Sequence, residues 1–120
     1  GPKTLEQQIV PKINDAAASA DRPTPSVVCS LPVWVTDDPD AARATVAKTL
    51  TIYGQLPSYR AMLDIEGVDG PADISLIGSA EQVKEGVATI AASGATDFTA
   101  VIPTPDPDQR AATIEALANA

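Results

Sequence analysis

Apolar positions along the chain follow two rhythms, one helical and one extended, and they alternate. From Asp73 to Pro103 the pattern describes a strand, a helix and a second strand. Ile74 to Ile77 form a short apolar run, and Gly78 allows a sharp turn after it. Ser79 then reads as a helix N-cap, with Gln82 three residues on completing a capping box. Val83, Val87, Ile90 and Ala91 place one apolar stripe on one helical face, and Gly94 supplies a left-handed stop. Phe98 to Ile102 is apolar without clean alternation, as expected of a strand covered on both faces of a parallel sheet, and Pro103 ends it.

The remainder of the chain extends this alternation. Thr4 can cap a first helix with Gln7 as its capping-box partner, and Leu5, Ile9 and Ile13 give that helix an apolar face. Pro11 falls inside the pattern, so the helix either kinks there or ends one turn and starts another at the proline. Val27 to Val35 is apolar at nearly every position and suits a buried parallel strand, although Pro32 cannot donate to a ladder and predicts a bulge or an interruption of pairing near Leu31 to Val33. Asp37, Asp38 and Pro39 open the next helix, whose buried face is Ala42, Val46, Leu50 and Tyr53 and whose stop is Gly54. Residues 55–71 read as an insertion with a short helical stretch around Arg60 to Asp64, a wall of a substrate pocket, a subunit contact or a plain surface loop. Pro105, Asp106 and Pro107 begin a last helix with Arg110, Ile114 and Leu117 on one side and Ala111 and Ala118 widening the stripe.

Strands alternating with helices of this length indicate parallel crossovers, so the fold class is α/β. The strands are too few to close a sheet. A chain that opens on a helix with no strand before it resembles the tail of a larger barrel or doubly wound sheet.

Composition sharpens that expectation. The 120 residues are one domain's worth, and 44% are hydrophobic, but 21 of them are alanine and only 3% are aromatic. Such a core buries little apolar area per residue, so stability is expected to draw on something outside the chain. A net charge of −8 with eight scattered basic residues argues against nucleic acid or an anionic membrane as partner. No apolar run reaches the length of a membrane span, and the default location is the cytoplasm. Cys29, the single cysteine, lies in an apolar run and reads as a core residue. Histidine is absent, which removes imidazole-based triads, the usual zinc sites and His general bases from this chain's own chemistry. No metal site is expected.

Four segments taken together, GPKTLEQQIVPKI, LPVWVTDDPDAARA, YGQLPSYRAML and IGSAEQVKEGVATIAASGATDFTAV, resemble the C-terminal part of luciferase-like monooxygenases, most of all the deazaflavin-dependent branch. The resemblance spans essentially the whole chain. It implies the C-terminal βα units of a (β/α)8 TIM barrel, incomplete in residues 1–120, with Ile74 to Ile77 reduced to an extended segment before a helix. It also implies an oxidoreductase that transfers hydride between coenzyme F-420 (8-hydroxy-5-deazaflavin) or FMN and an organic substrate. The rest of the barrel, which would hold most of the coenzyme, would come from an N-terminal segment or a partner chain, and homo-oligomers are expected.

In that family the Gly-Pro-Lys-Thr segment lies at the barrel mouth, so Gly1, Lys3 and Thr4 become candidates for coenzyme binding. Lys3 would act as a point charge and the Thr4 turn would present amides to a phosphate; a solvated lysine and a plain cap fit the same residues. The Gly78 and Ser79 turn offers the same geometry, again beside a simple capping role. Tyr53, Tyr59 and Arg60, large and polar-tipped, are the candidate substrate contacts, or they pack on the barrel. No residue of the chain is a catalytic candidate. A rival of another class is a non-catalytic acidic α/β module that assembles with a partner subunit.

Overall fold

The computed structural model describes all of residues 1–120, as a three-stranded parallel sheet with five helices. Helix α1 opens as Pro2–Thr4, passes through a π turn at Leu5–Ile9 and continues as Val10–Ser19. Strand β1 is Val28–Val35, followed by α2, Pro39–Thr49, and α3, Pro57–Glu66. A 3-10 turn at Pro71–Ile74 leads into β2, Leu76–Gly78. Helix α4 is Ala80–Ala92, β3 is Asp97–Val101 and α5 is Pro107–Ala118.

The strand order is β2-β1-β3, with Val33 opposite Leu76 on one side of β1 and Val28 opposite Asp97 on the other. Val27 to Val35 and Phe98 to Ile102 are thus parallel neighbours, as the sequence predicts, and α4 lies in the connection that leads to β3. The short run before Ser79 is a strand of the sheet, two residues later than its apolar start at Ile74 suggests, because Pro71 to Ile74 wind into the 3-10 turn first. Pro32 sits inside β1 without breaking it. The Thr36 N–H donates to the Gly78 carbonyl, so alternation turns Pro32 toward the same edge, where β2 begins only at the level of Val33. The missing N–H faces a stretch with no strand to receive it, and β1 exchanges β3 for β2 as partner just there.

Leu5, Val27, Cys29, Leu31 and Ile90 form one core cluster, through which α1 and α4 cover one side of the sheet. Trp34 and Ile77 pack with Ala42 and Val46 of α2 in a second. The expectation that β1 and β3 are covered on both faces fails over much of their length. Val28 is 60% exposed and Val101 52%, and along β3 exposed residues alternate with half-buried ones. Helix α2 packs only at the Trp34 end, and Val28 and Val101 face open grooves toward α3 instead of a packed helix.

Three helical faces differ from the periodicity. In α1 the Val10 N–H donates to the Leu5 carbonyl, five residues back, so Val10 rather than Ile9 follows Leu5 toward the core and Ile9 is left 40% exposed. The kink expected at Pro11 takes the form of this π turn. Helix α2 stops at Thr49, before Tyr53 can join its buried face, and Leu50 to Gly54 continue as turns. Helix α5 buries Thr113 and Ala116 and leaves Ile114 53% exposed. The Thr113 hydroxyl accepts from the Val35 N–H at 2.9 Å, beyond the last residue of β3, and this polar contact overrides the apolar stripe. On α4 the stripe is formed by Val83 and Ile90, with Val87 half-buried, while Ala91 is exposed. Gly94 takes φ +98, as its role as a stop requires, and its Cα lies so close to Val10 that a Cβ would stand 2.8 Å from Val10 Cγ2.

Candidate functional site

The turn that opens α1 holds an anion, and the anion is the chain's own. Glu66, the last residue of α3, is 6% exposed. Its Oε1 accepts from the Thr4 N–H at 2.8 Å and from the Thr4 hydroxyl at 2.6 Å, its Oε2 accepts from the Lys3 N–H at 3.3 Å, and the Gly1 nitrogen is 3.3 Å from Oε1. Lys3 Nζ donates to the Glu66 carbonyl at 2.9 Å. Burial alone would push the Glu66 carboxyl up, but the Thr4 hydroxyl and amide, the Gly1 amino group and the Lys3 amide together hold it below the ordinary carboxylate range. Thr4 is therefore no N-cap to Gln7, since the helix starts at Pro2 and Thr4 is buried against α3. Gly1, Lys3 and Thr4 do cluster as expected of an anion cradle. A coenzyme phosphate does not fit there, because a Cβ added to Gly1 would already lie 2.6 Å from the Glu66 carboxyl carbon and every inward donor is taken.

The second candidate cradle is also self-satisfied. The Ser79 N–H donates to Gln82 Oε1 at 2.9 Å and the Gln82 N–H to Ser79 Oγ at 3.3 Å, the predicted capping box. The Gly78 carbonyl accepts from Thr36, and a Cβ at Gly78 would collide with the Gln82 side chain. These two residues join a strand to a helix, and the Gln82 side chain fills the space beside Gly78.

The substrate candidates divide. Arg60 is spent on its own element: Nε donates to Asp64 Oδ1 at 2.8 Å, and the two terminal nitrogens to the Asp69 and Val68 carbonyls at 2.7 Å. It ties the end of α3 to the following loop and is not among the residues of the cleft described next. Tyr53 and Tyr59, by contrast, meet edge to face, ring centroids 4.9 Å apart and planes at 69°. They border a cleft of about 410 Å³ between β1 and the folded-back 55–71 segment. Leu50, Met62, Leu63, Pro71, Ile74, the β1 residues Cys29 to Pro32, Val101 of β3 and Gly1 complete its walls, and no lysine, arginine, aspartate or glutamate lines it. A second groove of about 690 Å³ runs on from it between α1 and α3, sharing Tyr59 and Met62. Cys29 lies in the wall with its thiol pushed up by burial, in keeping with a core residue rather than a nucleophile.

Sequence reasoning missed Glu66 and the cleft's apolar lining. A signal for the first was present, since Met62, Leu63 and Glu66 share a helical face and an acid on an apolar stripe needs a partner. Nothing in the pattern announces that Leu50 and Ile74 line one cleft. No cluster of Cys, Asp or Glu is arranged to hold a metal ion, and no helix is long and apolar enough to cross a membrane. Comparison with known protein families, with characterised proteins and with solved structures finds no match to this chain.

Proposed function

We propose that the chain is one wall of a cytoplasmic flavin- or deazaflavin-dependent oxidoreductase of the luciferase-like kind, built from the C-terminal βα units of a (β/α)8 barrel. Further strands, in the same polypeptide or in a partner, would complete the sheet. One observation supports this above others: an open parallel sheet, bare at Val28 and Val101, carries beside it an apolar cleft bordered by Tyr53 and Tyr59. In this reading the chain contributes substrate contacts, with Tyr53 and Tyr59 as the walls. Coenzyme contacts fall to the completing strands, because the two turns of this chain suited to phosphate are closed by Glu66 and Gln82.

The fate of Lys3 and Thr4 favours a second reading, the acidic non-catalytic module that assembles with a partner subunit. Fluorescence titration with F-420 and with FMN separates the two. The chain alone is expected to bind neither, and the chain coexpressed with the N-terminal strands of a luciferase-like barrel is expected to bind one of them and reduce it. Tight coenzyme binding by the chain alone would make it a complete cofactor domain. A stable assembly without coenzyme binding would leave the non-catalytic module.

A further inference from the structure

We infer that the Tyr53–Tyr59 cleft selects a neutral, ring-bearing organic compound and rejects charged ones. The inference rests on the reading of this cleft as the substrate wall and adds the class of substrate. Its volume, about 410 Å³, falls in the range of small-molecule sites, roughly 300–1,000 Å³. Its lining is decisive: Leu50, Met62, Leu63, Pro71 and Ile74 offer dispersion contacts, and no ionised side chain is present to meet a charge brought in from water. The Gly1 nitrogen at its rim is engaged with Glu66. An anion would also enter against a net charge of −8. A ring, on the other hand, finds two tyrosine rings already packed edge to face, 38% exposed for Tyr53 and 41% for Tyr59, with a face or edge available to it.

Three compounds of one shape test this: naphthalene-2-carboxamide, neutral; 2-naphthoate, an anion; and naphthalene-2-carboxamidine, a cation. Each is titrated into the full chain near neutral pH while the backbone amide shifts of all residues are followed by NMR, those of the cleft walls at residues 29–31, Tyr53, Tyr59 and Met62 being expected to move. The carboxamide is expected to bind at least about tenfold more tightly than either ion, a gap of about 1.4 kcal/mol. Tyr59→Ala, a change at an exposed residue that leaves the core intact, is expected to weaken the carboxamide several-fold, and Tyr59→Phe to keep most of the binding. Equal or tighter binding of either ion would overturn the inference. So would an unchanged affinity in Tyr59→Ala, or shifts that map outside the cleft. Carboxamide binding without any coenzyme binding in the completed assembly would sink the oxidoreductase reading and leave this inference standing, and the converse result would do the reverse.

Discussion

At the scale of single residues, Glu66 has the largest consequence. A carboxylate 6% exposed survives without a side-chain cation because the Thr4 hydroxyl and the Lys3 and Thr4 backbone amides donate to it. Glu66→Ala would leave the Thr4 donors buried and unpartnered, and is expected to cost about 1–3 kcal/mol in urea unfolding. Glu66→Gln, which can still accept from Thr4, should cost less. A carboxyl held below its ordinary range in the folded chain stabilises that state at pH above the unfolded carboxyl's range, and the contribution disappears as acid titrates the folded group. Unfolding followed between pH 6 and pH 3 should therefore show wild type losing stability on acidification more steeply than Glu66→Gln. Parallel curves would remove Glu66 from that role.

At the scale of elements, caps and packing can be weighed separately. Ser79→Ala breaks the capping box of α4 and should cost about 1 kcal/mol, while Ile90→Ala, at 2% exposure, should cost about 2–5 kcal/mol through the cavity it opens. Helix α5 offers the sharper test, because sequence and structure disagree about its face. Ile114→Asp should change stability by no more than about 0.5 kcal/mol, and Thr113→Val, nearly isosteric, should cost about 1–3 kcal/mol by orphaning the Val35 N–H. Thermal or urea denaturation of the pair that found the aspartate worse than the valine would restore the apolar stripe as the buried side.

At the scale of the whole molecule, the sheet is unfinished in energetic terms. Val28 and Val101 expose apolar surface on one face, and β1 between Val28 and Pro32 has a strand on only one side. The chain is expected to self-associate or to pair with the completing strands. Its charge of −8 opposes self-association, so light scattering after size exclusion should show a mass that rises with ionic strength as repulsion is screened. Val101→Lys, which charges the bare face without touching the core, should shift the chain toward monomer. A monodisperse monomer at every salt concentration, with Val101→Lys no different, would mean the face needs no cover.

What the sequence by itself determined is mostly local: the Ser79 and Gln82 box, the helix starts at Asp38-Pro39 and Asp106-Pro107 and the Gly94 stop follow from neighbours within a few residues, while the parallel pairing of two distant apolar runs follows from the crossover rule for alternating strands and helices. What the tertiary structure decided is where local rules compete. The π turn at Leu5–Ile9 shifts the register of α1 by one residue, so a 3.6 period misplaces Ile9; Thr113 turns inward because the end of β1 needs an acceptor that β3 does not supply. The same holds at the site. Tyr53 and Tyr59 could be picked out as large polar-tipped groups, but their pairing across a cleft, the capture of Lys3 and Thr4 by Glu66 more than 60 residues away and the retirement of Arg60 into its own loop depend on contacts between distant segments. A donor at a helix start is open to any anion until the fold brings one, and here the fold brings its own carboxylate.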